Sequence, residues 1–117
     1  MTTVQTYLSG LPEETKQRFA PVFGDLDTFY DVVYLIIKNE HIADTEKPER
    51  YEDRLRTIRT VKQKIEELLT LWGLNGNDVV ADIASDYFED YVQYKEPEFS
   101  LTNEQFLDIV RKVMQAR

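Results

Sequence analysis

The chain has 117 residues, with 22 Asp and Glu against 14 Lys and Arg, a formal net charge of −8 and a pI near 4.6. That length corresponds to one domain, residues 1–117, able to bury one hydrophobic core. With 42% hydrophobic residues, 7 Tyr, 6 Phe and 1 Trp, the composition is that of a globular chain and excludes a disordered one. The absence of Cys excludes disulfides, thiolate metal sites and Cys nucleophiles, and the single His, His41, excludes most imidazole metal sites and His-based catalytic triads.

The N-terminal segment Met1-Thr2-Thr3-Val4-Gln5 has neither the basic start nor the apolar run of a signal peptide. The most apolar stretch, Val32 to Ile37, falls far short of the roughly 20 residues that cross a bilayer. The negative charge repels anionic lipid and nucleic acid over the molecule as a whole. A cytoplasmic protein without membrane contact is the expectation.

Gly and Pro fall where periodic segments end. Thr2 or Thr3 can cap a short helix through Leu8, stopped by Gly10. Pro12, followed by Glu13 and Glu14, suits the first turn of a second short helix, whose end is predicted near Ala20 because Pro21 follows. Asp25 or Asp27 can cap a long helix from about Leu26 to Ala43, apolar around much of its circumference and therefore central to a bundle or part of an interface.

Beyond Pro48, the residues Tyr51, Leu55, Ile58, Val61, Ile65, Leu68, Leu69 and Trp72 recur at three- and four-residue steps, and Gly73 is the expected C-terminal cap. Asn75-Gly76 reads as a turn, and Asn77 as the N-cap of a helix from Asp78 to about Tyr94. After Pro97, Thr102 and Gln105 match a capping box for a last helix carrying Phe106, Ile109, Val110, Val113 and Met114. The expectation is an all-α, single-domain antiparallel bundle of four main helices, preceded by one or two short N-terminal helices.

The charges are unevenly spread. Asp78, Asp82, Asp86, Glu89 and Asp90 follow one another with no basic residue from Asn75 through Tyr94. At 100° per residue they fall within an arc of about 120°, an arrangement that works against helix stability because like charges lie four residues apart. Three readings stand: a solvated face, an internal partner for the acid-free basic run Arg54, Arg56, Arg59, Lys62 and Lys64, or a docking surface for a basic protein. In the third, Asp78, Asp82, Asp86, Glu89 and Asp90 steer the encounter and Tyr94 helps to anchor it. A stripe imitating a nucleic-acid backbone would need further acidic helices, since its charges lie ~4–5 Å apart against ~3.4 Å along one DNA strand. Nucleic-acid binding by the basic run is opposed by the net charge and by bases that do not share one helix face.

Glu40, Arg54 and Lys62 fall on apolar faces. An antiparallel hairpin places Glu40 near Arg50 or Arg54 as a partly buried ion pair, or alternatively in a ligand-holding polar pocket. Tyr30, Tyr51, Tyr87 and Tyr91 fit apolar faces, whereas Tyr7, Tyr34 and Tyr94 are poorly explained by one core. The sequence has no Gly-rich phosphate loop, G-x-S-x-G, EF-hand loop or paired Glu-x-x-His motif, so no enzyme activity, metal or cofactor is expected. In size, acidity and helical character the chain is similar to small immunity or inhibitor proteins that neutralise nuclease toxins, and to small phage proteins; the likeness is one of composition and carries no site residues. The expected function is that of a small acidic protein that binds and blocks, or escorts, a basic protein. The alternative is a structural or assembly subunit, including a homo-oligomer, that associates through apolar helix faces.

Overall fold

The computed structural model describes residues 10–46 and 52–116. Those residues form five helices: α1 (Glu13–Phe23), α2 (Leu26–Glu46), α3 (Glu52–Leu71), α4 (Gly76–Val92) and α5 (Asn103–Gln115), with no strand among them. The short helix expected before Gly10, and the segment containing Pro48 and Tyr51, lie outside the described residues.

The helix ends show how far local chemistry governs the chain. Asp25 caps α2, its Oδ1 accepting from the Thr28 N–H at 2.7 Å, and that bond holds its carboxyl below the usual carboxylate range. Thr102 and Gln105 form the full reciprocal capping box at the start of α5. Gly73, at φ 92°, closes α3 in a Schellman arrangement: Leu74 N–H donates to the Leu69 carbonyl at 2.9 Å, and Gly73 N–H to that of Thr70 at 3.1 Å.

Two boundaries differ from expectation. Pro21 does not end α1, which runs on to Phe23. Pro21 forfeits one helical N–H bond and its ring crowds the carbonyl four residues back, a cost offset because continuing the helix buries Val22 and Phe23. The chain then leaves through Gly24, at φ 80°, whose N–H donates to the Ala20 carbonyl at 2.9 Å. At α4 the cap is Asn75 rather than Asn77, its side chain accepting from Asp78 N–H, so the helix starts inside the Asn-Gly pair. Gly76 is buried there against the Glu66 carbonyl of α3, an approach open only to a residue without a Cβ.

Helices α2, α3 and α4 all pack on one another, while α1 and α5 link α2 back to α3. The core is one continuous cluster, with Phe23, Phe29, Ile65, Leu68, Leu69, Ile83 and Val113 almost wholly removed from solvent. Each such side chain stabilises by ~1.5–3 kcal/mol relative to exposure. Phe19 and Phe23 of α1 meet Phe29 edge-on at 4.9 and 4.8 Å and approach Trp72, which locks the short helix onto the larger ones. Much of the apolar circumference of α2 is covered within the chain itself: Phe29, Val32, Val33, Tyr34, Ile36 and Ile37 are all buried.

Candidate functional site

The acidic helix α4 lays Val79, Val80, Ile83 and Tyr87 into the core against α2 and α3. Its five carboxylates divide into two groups. Asp86 and Asp90 stand at the edge of the buried face, at helical angles interleaved with Val79 and Ile83. Each is half-buried and accepts a hydrogen bond from a tyrosine of α2: Tyr30 Oη donates to Asp86 Oδ2 and Tyr34 Oη to Asp90 Oδ2, both at 2.8 Å. Tyrosines four residues apart on one helix thus meet aspartates four residues apart on the next. Burial first, and the aspartate bond second, push both phenols well above their ordinary value.

Asp78, Asp82 and Glu89 are exposed on the outer side of the helix. The basic run of α3 does not meet them through Arg59 or Lys62. Lys62 Nζ lies 2.9 Å from Glu40 Oε1, and Arg59 reaches Glu40 Oε2 at 3.4 Å and Asp44 Oδ1 at 3.6 Å. Glu40 therefore pairs farther along α3 than Arg54, with Arg59 and Lys62, because the long α2 carries the hairpin beyond residue 43 and shifts the antiparallel register; Arg50, its other expected partner, lies outside the described residues. The result is a satisfied network: among the described residues no buried side-chain nitrogen or oxygen lacks a partner. Nor, among those residues, does any group of His, Asp and Glu stand where it could hold a metal ion.

The aromatic residues are redistributed relative to expectation. Tyr34 is 2% exposed and Tyr87 is also buried, whereas Tyr91 stands 56% exposed. Among the described residues, eight large apolar side chains are exposed, and five of them gather where α2 and α4 end: Ile42, Phe88, Tyr91, Val92 and Tyr94. His41 sits in their midst. Its ring lies 5.2 Å from that of Phe88 and 4.8 Å from that of Tyr91, and its Nδ1 shares a 2.9 Å hydrogen bond with Tyr87 Oη.

Tyr94 closes α4 in a left-handed conformation, φ 58°. Lys95 N–H donates to the Asp90 carbonyl at 2.9 Å and Tyr94 N–H to that of Tyr91 at 3.2 Å, so a tyrosine occupies the position that favours glycine. Its ring is 94% exposed. The exposed side of α4 thus joins an acidic strip, Asp78, Asp82 and Glu89, to an aromatic end, Phe88, Tyr91, Val92 and Tyr94. Phe88 and Val92 are absent from the sequence-predicted surface because periodicity alone assigns them to the apolar side of the helix; their angular distance from Val80 and Ile83 was the available signal. Among the described residues no helix is long and apolar enough to cross a membrane. Comparison with family models, curated proteins and solved structures finds no match to this chain.

Proposed function

We propose that this is a non-enzymatic interaction protein, a single-domain antiparallel bundle of four main helices (α2 to α5), that binds a basic protein through the outer side of α4 and so blocks or escorts it. One observation carries the reading: exposed apolar and aromatic side chains concentrate at residues 88–94, beside Glu89 and on the same outer side of the helix as Asp82 and Asp78, in a stretch with no base from Asn75 through Tyr94. Apolar residues of this kind anchor an interface, and the carboxylates around them steer an oppositely charged partner and set its salt dependence. In this reading Asp86 and Asp90, held by Tyr30 and Tyr34, fix the helix, while Asp78, Asp82, Glu89 and Tyr94 make contact.

The test is a comparative capture from the native host's lysate at low salt, with the wild-type protein and an Asp82→Lys/Glu89→Lys variant on parallel columns. A basic protein released by a salt step from the first and not retained by the second supports the reading. Retention of the same proteins by both removes α4 as the contact. A second reading, assembly through apolar faces, draws on the exposure of Leu107 and Met114 on α5. It requires oligomers that persist in high salt, and a monomer in sedimentation at micromolar concentration removes its self-associating form.

A further inference from the structure

The outer side of α4 carries a second pattern beside the acidic strip. Ala81, Ser85, Phe88 and Val92 are all exposed, and their spacing of four, three and four residues keeps them within an arc of about 60°. This is the spacing with which one helix receives another, knobs of the incoming helix dropping between residues four and three apart. The seam is graded: Ala81 and Ser85 at its first half let a second backbone come close, and Phe88 and Val92 at its second half offer bulk. Asp82 and Glu89 flank it along one edge and Tyr91 along the other. The side chain that projects most usefully is also braced, since the Phe88 ring packs edge-on against His41 at 5.2 Å and Tyr87 at 5.0 Å. A ring already held in place has little rotamer freedom left to lose on binding.

Resting on the proposed function, we infer that the basic partner presents an amphipathic α-helix, which lies along the Ala81–Ser85–Phe88–Val92 seam and sets Lys or Arg side chains against Asp82 and Glu89. Charge selects this occupant. A second copy of α4 would bring Asp82 and Glu89 toward its own carboxylates, with no base between Asn75 and Tyr94 to compensate. An extended segment would leave the four-and-three spacing without a counterpart, because its side chains alternate with a period of two.

The experiment uses the full chain, isotope-labelled, and two synthetic peptides of about 18 residues, roughly 27 Å when helical. One is an amphipathic Lys/Leu helix, the other the same composition with proline replacements that forbid a helix. The expected result is that the helical peptide binds at least tenfold more tightly, with amide shifts centred on residues 81–92. Phe88→Ser/Val92→Ser should lower that affinity about tenfold or more, and Asp82→Lys/Glu89→Lys should lower it most at low salt, reversing its salt dependence. Both pairs of side chains are exposed, so an unchanged circular dichroism spectrum and melting curve show that each variant remains folded. Equal binding of the two peptides on the same residues overturns the helix while leaving a basic partner in place. Binding of neither peptide, or shifts centred on Asp25, Asp27 and Asp31 instead, overturns both.

Discussion

The Tyr34 hydroxyl donates to Asp90 Oδ2 at 2.8 Å, and one helical turn away Tyr30 repeats the contact with Asp86. Two carboxylates that repel each other along α4 are thereby joined to α2 by neutral donors, which removes part of the cost of spacing like charges four residues apart. Tyr34→Phe leaves the half-buried Asp90 carboxylate without this donor. The expected loss is about 1 kcal/mol in urea unfolding at pH 7, below the usual range for charged acceptors because solvent reaches the pair. Tyr30→Phe should behave alike. A double variant less destabilised than the two losses added together would show that the two bonds act as one unit.

The same contacts fix the alkaline limit of the fold. Tyr30, Tyr34 and Tyr87 all have phenols raised above the ordinary value, burial being the first cause in each. Below pH ~10 these phenols are protonated in both states and their contribution is complete. Above it the unfolded chain releases protons that the folded protein keeps, so unfolding free energy falls as pH rises. Denaturant titrations between pH 8 and 11 should show this decline, and Tyr30→Phe/Tyr34→Phe should flatten it.

Gly76→Ala separates helix propensity from packing. Inside an exposed helix the change stabilises by ~1 kcal/mol, but here the new methyl enters the space of the Glu66 carbonyl. Backbone cannot swing away as a flexible side chain can, so a net loss of about 1–3 kcal/mol is expected. A raised melting temperature would show that α3 and α4 can separate at this point.

Tyr94→Gly should act in the opposite direction. Relief of the left-handed tyrosine at φ 58° is expected to stabilise by about 1 kcal/mol, since the exposed ring returns little burial energy. If Tyr94 also anchors a partner, the variant will melt higher and bind that partner less well, a combination that a purely structural residue would not give.

Asp31 offers a test near neutrality. Burial, then the charges of Asp27 and Asp25, raise its carboxyl above the usual carboxylate value. A raised folded value means that its favourable contribution is complete at low pH and is lost as pH climbs through the folded value. Asp31→Asn should therefore stabilise the protein at pH 7, with the gain disappearing toward pH 3 in matched denaturant titrations.

What the sequence determined by itself was the set of helices among the described residues and several of their ends. Thr102 with Gln105, Asp25 and Gly73 act through groups within a few residues, so their effect is fixed before the chain folds. The acidic character of α4 was equally legible, as was the unexplained status of Tyr94. Long-range packing decided the rest. Pro21 stays helical because Val22 and Phe23 have a core to enter, and α4 begins at Gly76 because the α3 backbone passes there. The stripe of five acids reads as one face in a list of angles, but only the position of α2 divides it, turning Asp86 and Asp90 inward to tyrosine hydroxyls and leaving Asp78, Asp82 and Glu89 outside. A helix of this width has neighbours on two sides, and hydrophobic periodicity does not say which side remains open. That choice belongs to the packing of three helices against one another, and it is what leaves Phe88 and Val92 in solvent beside the acids.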